Sequence, residues 1–173
     1  MANHLFAHIS VVQLPGKGCI GMSACPGLCH SHSSLTEDIQ SIADWGASVV
    51  VTLMQIDELN RLGVSTLSAM VQSHNMLWLH RPIIDYSIPD NVFEAQWQET
   101  LITLRNALAN NGRVFVHCRG GLGRTGLVVA RLLIEYGWSP SAAIQCVRAV
   151  RPGSIETTEQ EHYVLGRELT LSC

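Results

Sequence analysis

Lysine is almost absent from this sequence. Among 11 basic residues Lys17 is the single lysine, and the formal net charge is −3. Such a balance provides no broad positive surface of the kind that binds nucleic acid or an anionic membrane, so we expect neither as a partner. The other basic residues are arginines, whose forked side chains suit phosphate and carboxylate groups, although usage bias explains their excess equally well.

Long apolar runs are also missing. No stretch approaches the roughly 18 consecutive apolar residues that a membrane-spanning helix needs. The segment 1–13 has no basic region followed by an apolar run, so we expect no secretory signal. Together these absences favour a cytoplasmic, reducing setting in which the 6 cysteines are free thiols rather than disulfides.

Apolar residues are nevertheless numerous enough to build a core. They make up 47% of the chain, against 14% for charged residues, a balance typical of folded proteins. A length of 173 residues fits one domain, and no internal repeat or long linker divides it. We therefore expect a single domain over residues 1–173. The sequence does not indicate an oligomeric state.

Strand-like and helix-like patterns alternate along the chain. Strands are predicted at 9–14, 19–23, 47–53, 76–80 and 113–117. Helices are predicted at about 34–45, 56–62, 66–73, 92–110, 124–136 and 139–150, and a last helix begins at Thr157 or Thr158. This order predicts an α/β fold with a central, mostly parallel sheet flanked by helices.

A glycine-rich segment joins one of these strands to a helix. The strand ends at Cys118, and the helix begins near Arg124. Glycines permit unusual backbone conformations and close approach to a ligand, and successive amides can then form an anion-binding nest at the helix start. Arg124 can add a bidentate contact to phosphate. The residues expected to hold phosphate are Arg119, Gly120, Gly121, Leu122, Gly123 and Arg124.

Three neighbouring residues suit nucleophilic chemistry. A helix N-terminus and basic neighbours favour the thiolate form of cysteine, so Cys118 is the candidate nucleophile. Thr125 could donate a hydrogen bond to the sulfur and ease its departure in a second step. His117 is expected to orient the loop rather than transfer the substrate proton.

The span from Cys118 to Arg124 resembles the Cys-x5-Arg signature of the protein tyrosine phosphatase superfamily. With Pro26-Gly27, Gly63-Val64 and the segment 82–85, it is similar to the dual-specificity class and its cyclin-dependent kinase inhibitor 3 (kinase-associated phosphatase) group. The resemblance implies a cysteine-phosphatase fold and hydrolysis of a phosphorylated protein or peptide through a phosphocysteine. It implies no metal and no cofactor.

A general acid would help to expel a poor leaving group. Asp85 lies on a loop after a predicted strand, and the resemblance implies that the first aspartate of the Pro-x-x-Asp-x-x-x-Pro-Asp pattern, here Asp85, is the acid. The same carboxylate could activate water in the second step. Asp90 is the alternative, but its position before the helix at 92–110 suggests a cap.

The segment 151–160 resembles a loop that places a glutamine near the hydrolytic water in related phosphatases. Gln160 or Glu156 could position that water. Gln160 is explained equally well by a capping box with Thr157. Glu156 is expected to be an ordinary solvated charge.

Other interpretations remain open. A metal site is disfavoured because the nearby thiols and imidazoles lack a zinc-type spacing; these residues are Cys19, Cys25, Cys29, His30 and His32. The functional alternatives are a pseudophosphatase that only binds phosphorylated partners, a phosphatase of a phosphoinositide or RNA 5′ end, and a rhodanese-type sulfur transferase. The last does not require the Arg-Thr pair or Asp85.

Overall fold

A mixed five-stranded sheet forms the centre of the molecule. The computed structural model describes residues 9–29 and 34–167. The strands are β1 (Ser10–Gln13), β2 (Cys19–Ser23), β3 (Ala47–Thr52), β4 (Leu77–His80) and β5 (Arg113–His117). Their spatial order is β1-β2-β5-β3-β4, with β1 antiparallel to β2 and every other neighbouring pair parallel. The predicted α/β fold with a mostly parallel sheet is confirmed.

Seven α-helices surround this sheet in the described ranges. They are α1 (Leu35–Asp44), α2 (Ile56–Arg61), α3 (Leu67–Ser73), α4 (Asn91–Leu108), α5 (Gly123–Glu135), α6 (Pro140–Val150) and α7 (Thr158–Leu165). None of them is long and apolar enough to cross a membrane.

Local capping explains where several helices begin and end. Ser34 caps α1 in a capping box with Glu37, as the sequence predicts. Asp90 caps α4 by accepting the N–H of Phe93 at 2.9 Å. The predicted helix 92–110 ends earlier, at Leu108, because Asn110 takes a left-handed conformation with φ of 55°.

The parallel strands bring the chemistry-bearing loops to one edge of the sheet. Strand β5 is central and its residues from Val114 to His117 are buried. Helix α5 follows it and is buried over nearly its whole length, so it packs between the sheet and the outer helices. Because β3, β4 and β5 run in the same direction, their carboxyl ends meet at one edge, where ligands of open α/β sheets bind.

Candidate active site

The loop after β5 has the backbone shape that an anion site requires. Gly121 has φ of +70°, and a Cβ there would lie 2.1 Å from the carbonyl oxygen of Ser23, so only glycine fits. A Cβ on Gly123 would lie 2.4 Å from Glu156 Oε2. Gly120 has no positive φ, and a Cβ there would have no neighbour within 4 Å. The expectation that this position needs the conformational freedom of glycine is therefore wrong.

The Cys118 sulfur lies inside this loop. Its residue is 3% exposed, and the sulfur accepts the backbone N–H of Gly121 at 3.2 Å. The helix α5 begins at Gly123, so its positive end faces the same loop. The structure thus places the predicted nucleophile against the inward-facing amide of Gly121.

Arg151 holds the loop from the outside, and sequence reasoning missed it. Its Nε donates to the carbonyl of Gly121 at 2.7 Å and its Nη2 to the carbonyl of Gly120 at 3.0 Å. These contacts fix the two peptide units, and the N–H of the first, that of Gly121, donates to the Cys118 sulfur. The only signal in the sequence was that Arg151 opens the segment 151–160.

Arg124 is fixed by a buried, two-pronged ion pair. Its side chain is 1% exposed, and Nη1 and Nη2 contact the two carboxylate oxygens of Glu58 at 2.8 and 3.0 Å. Nη1 also donates to the Ile83 carbonyl at 3.1 Å. Glu58 itself caps α2 by accepting the N–H of Gln55 at 2.9 Å. Burial raises the pKa of Glu58, but the bonds from Arg124 and Gln55 outweigh it and the net pKa is lowered.

Asp85 lies beside Arg124, and Asp90 does not. One carboxylate oxygen of Asp85 is 2.9 Å from Arg124 Nη2 and accepts the N–H of Tyr86 at 3.2 Å. The Asp85 side chain is 40% exposed, so one side of it faces solvent. Asp90 is used as the cap of α4. The structure therefore brings the predicted acid, and not the alternative, to Arg124.

His117 is sealed beneath the loop. The imidazole is fully buried, with Nε2 2.8 Å from Thr52 Oγ1 and Nδ1 3.4 Å from the Cys118 carbonyl oxygen. The indole N–H of Trp78 donates to the same Thr52 hydroxyl at 2.8 Å. Burial lowers the pKa of His117 to about 4, so the ring is neutral near pH 7. A neutral, tethered ring fits the predicted orienting role.

Thr125 does not make the contact that the sequence predicts. Its hydroxyl is buried and has no hydrogen-bond partner among the described residues, so the bond to the Cys118 sulfur is not formed in this structure. The position is nevertheless adjacent to Arg124 in the first turn of α5.

Gln160 and Glu156, the two candidates for positioning water, make different contacts. The Gln160 amide oxygen accepts the N–H groups of Glu156 and Thr157 at 2.9 and 3.3 Å, and its Nε2 donates to the Ser87 carbonyl at 3.2 Å. Its side chain is thus engaged as the cap of α7. Glu156 is exposed, as expected for a solvated charge, but it also makes a contact that the sequence did not predict, because its Oε2 accepts the N–H of Gly123 at 2.8 Å.

The backbone that presents Glu156 is strained. Ile155 has φ of 61°, a conformation that β-branched residues rarely adopt. Arg148 holds it there by donating from Nε to the Ser154 carbonyl and from Nη2 to the Ile155 carbonyl, both at 3.1 Å. Strain of this kind concentrates at functional sites, which supports a role for the carboxylate that follows.

The cysteines near the start of the chain form no metal cluster that the structure describes. Cys19 and Cys25 are buried, and the thiol of Cys29 donates to the Cys25 carbonyl at 3.3 Å. Within residues 9–29 and 34–167 no group of three metal-type side chains converges. His30 and His32 lie outside the described residues.

Comparison with known proteins gives the family. The family model PTP-SAK, described as "Swiss Army Knife protein, DSP-PTPase phosphatase domain", matches residues 27–164. Cyclin-dependent kinase inhibitor 3 of Rattus norvegicus is 32% identical over 164 residues, which cover 90% of this chain and 76% of the relative. The Homo sapiens protein of the same name is 30% identical over 165 residues, covering 91% and 76%.

Solved structures agree with these sequence matches. Kinase-associated phosphatase, crystallised with its catalytic-site cysteine replaced by serine, superposes with a TM-score of 0.79 at 28% identity and covers 91% of each chain. Tk-PTP in the active form superposes with a TM-score of 0.69 at 28% identity, covering 88% of this chain and 95% of that one. The chain belongs to the cysteine-dependent protein tyrosine and dual-specificity phosphatases. Within that family it is similar to the cyclin-dependent kinase inhibitor 3 group, as the sequence predicted.

Proposed function

We propose that this phosphatase hydrolyses phosphorylated protein side chains through a phosphocysteine on Cys118. The observation that carries the proposal is the convergence at one loop of the Cys118 sulfur, the Gly121 amide and the Arg124 guanidinium, with Asp85 2.9 Å from that guanidinium. The kinase-associated phosphatase relatives support a phosphoprotein as the substrate. We also propose that residues 1–173 form one phosphatase domain, and a cytoplasmic location stays a prediction.

In the first step the Cys118 thiolate attacks phosphorus. The amides of the loop and Arg124 bind the three non-bridging oxygens, and the unpaired Nε of Arg124 is an available donor. A sulfur–phosphorus bond forms and the bond to the leaving oxygen breaks. Asp85 gives its proton to that oxygen, exchanging its contact with Arg124 for one with the departing group.

In the second step water attacks the phosphocysteine. A carboxylate takes a proton from the water, an oxygen–phosphorus bond forms, and the sulfur leaves as thiolate. Asp85 can act as this base. Glu156 is a second candidate because its carboxylate already lies on the Gly123 amide, whereas the Gln160 side chain is engaged as a cap. Thr125 has an unpaired hydroxyl that can stabilise the departing sulfur.

The alternatives lack comparable support. A pseudophosphatase would be expected to lack the nucleophile, the arginine or the acid, and here Cys118, Arg124 and Asp85 are all present at one site. A phosphatase of phosphoinositides or RNA 5′ ends would be favoured by several basic residues in the loop itself, where Arg119 is the one addition to Arg124.

Rapid-quench kinetics with a chromogenic aryl phosphate tests the mechanism. We expect a burst of phenolate with an acid-stable, radiolabelled phosphoprotein in the wild-type chain, and neither in Cys118→Ser. Phosphotyrosine peptides, phosphothreonine peptides and phosphoinositides, compared on both chains, then establish the substrate class. Turnover that survives in Cys118→Ser, or selective turnover of the phosphoinositide, would contradict the proposal.

A further inference from the structure

A cleft of about 500 Å³ opens beside the phosphate-binding loop. It has a basic residue on each of two separate elements, Arg61 at the end of α2 and Arg119 in the loop. Glu58 and Asp85 also line it, next to Arg124. The cleft is therefore continuous with the residues that would hold the phosphate to be removed.

The charges of this cleft do not cancel. The two carboxylates that line it, Glu58 and Asp85, share the single positive charge of Arg124, so with Arg61 and Arg119 the cleft carries one net positive charge. Arg61 makes a single hydrogen bond, from Nε to the Asp57 carbonyl at 3.3 Å, and forms no ion pair within the described residues. Arg119 has no side-chain hydrogen bond or ion pair in that part of the chain. Two exposed guanidinium groups are thus available for an anion.

The walls and rim of the cleft are apolar. Leu62 and Ile84 line it, and Ile84 is 57% exposed. Two further exposed apolar side chains adjoin it in sequence, Ile56 beside Gln55 and Tyr86 beside Asp85, at 50% and 62% exposure. Exposed apolar and aromatic residues at a rim suit a polypeptide, which supplies apolar contacts as well as charge, better than a compact polar headgroup.

We propose that this cleft is a second anion subsite, which binds an acidic or phosphorylated side chain next to the scissile phosphoresidue of a peptide substrate. The substrate class is a phosphopeptide with a flanking anionic residue. The assignment rests on the proposed function, because the phosphate to be removed must occupy the Cys118 loop. Arg61 is the specificity-determining residue, since it lies outside the loop and contacts neither Cys118 nor Arg124.

The test compares matched phosphotyrosine peptides with a flanking glutamate, glutamine or second phosphoresidue. We expect the wild-type kcat/KM to favour the anionic peptides by about 3- to 10-fold, the range of a partly exposed, charge-assisted contact. In Arg61→Gln this preference should be lost, chiefly through KM, while turnover of a small aryl phosphate stays at the wild-type level. Arg61→Lys should restore part of it, and added salt should weaken it.

Lys17→Gln is the matched control. It removes one positive charge from the exposed turn between β1 and β2, at the opposite end of β5 from the loop, and should keep the full preference.

Binding of the same peptides to Cys118→Ser tests the subsite without turnover. If wild type shows no preference, or Arg61→Gln retains it, the subsite is refuted even though the aryl phosphate is hydrolysed. Faster turnover of a soluble inositol phosphate, with the same dependence on Arg61, would overturn the peptide assignment. A chain that binds the anionic peptides preferentially but hydrolyses no aryl phosphate would refute the proposed function alone.

Discussion

Glu58→Gln removes one charge from the buried pair that fixes Arg124. The two side chains are 10% and 1% exposed and share two contacts of 2.8 and 3.0 Å. Breaking a buried pair at one partner costs about 3–5 kcal/mol. Because Ile83 and Asp85 still bind the guanidinium, we expect the lower end, about 3 kcal/mol, which is about 6–12 °C in Tm for a chain of this size.

The same substitution should weaken phosphate recognition. Without the Glu58 charge only Ile83 and Asp85 hold the Arg124 fork among the described residues, so its orientation is less fixed and we expect kcat/KM for an aryl phosphate to fall about 10- to 100-fold, equivalent to about 1.4–2.7 kcal/mol. Inorganic phosphate should also raise the Tm of the variant less than that of the wild type, since ligand stabilisation follows affinity. Thermal unfolding and steady-state kinetics measure the two effects separately.

Glu37→Gln is the matched control for this experiment. Glu37 occupies the same capping-box position in α1 that Glu58 occupies in α2, but it is exposed, and within the described residues its carboxylate bonds to Ser34 alone. It should lower Tm slightly and leave KM unchanged. If Glu58→Gln behaves like Glu37→Gln in both measurements, the reasoning about Arg124 is refuted.

The sign of the pH dependence follows from the lowered pKa of Glu58. The folded carboxyl releases its proton at lower pH than the unfolded one, so its stabilisation is fully present above the ordinary glutamate pKa of about 4.3. It is lost as the pH falls through the folded pKa. The difference in Tm between wild type and Glu58→Gln should therefore shrink below about pH 4, and a constant difference down to pH 2 would contradict the assignment.

Four further substitutions test the candidate catalytic groups and the loop. Asp85→Asn should slow phenyl phosphate about 100-fold or more and an activated aryl phosphate much less; an intact phenyl phosphate rate would exclude Asp85 as the acid. Glu156→Gln should retain the burst but lower the steady-state rate if Glu156 activates water, and unchanged single-turnover hydrolysis of the phosphocysteine would refute that role. Gly121→Ala should unfold at lower temperature, because its Cβ would meet the Ser23 carbonyl, whereas Gly120→Ala should keep the wild-type Tm; equal Tm values would contradict the loop geometry.

The sequence predicted the regular elements to within two residues because each carries its own local signals. The capping box at Ser34, the Asp90 cap and the buried pattern of β5 depend on neighbouring residues alone. The end of α4 was predicted two residues too late. It depends on the left-handed conformation of Asn110, and a polar residue of this kind is equally common in the last turn of a helix. The order of the strands within the sheet is set by crossovers, which no local pattern records.

The same distinction separates the site residues. Cys118 and Arg124 belong to one short motif, so their spacing in the sequence was enough to identify them. Glu58 and Arg61 reach the site from helix α2, and Arg151 reaches it from the end of α6. Each has an ordinary local explanation, as a cap or a surface charge, so nothing in the sequence singled them out. Placement of Asp85 needed the family resemblance, because an acidic residue on a loop is common.

In the hydrogen bonds that join Cys118, His117, Thr52 and Trp78, each donor and acceptor can be assigned. A carbonyl oxygen can only accept, so the Nδ1 of His117 carries the hydrogen that faces Cys118, and the neutral ring leaves Nε2 as an acceptor. Thr52 must then donate to Nε2 and receive the indole hydrogen of Trp78. The tautomer beside the candidate nucleophile is thereby set by the Cys118 carbonyl, and Trp78 on the edge strand β4 orients the hydroxyl that donates to the other ring nitrogen, so exchanging that indole for a phenyl ring would free the threonine hydroxyl to rotate.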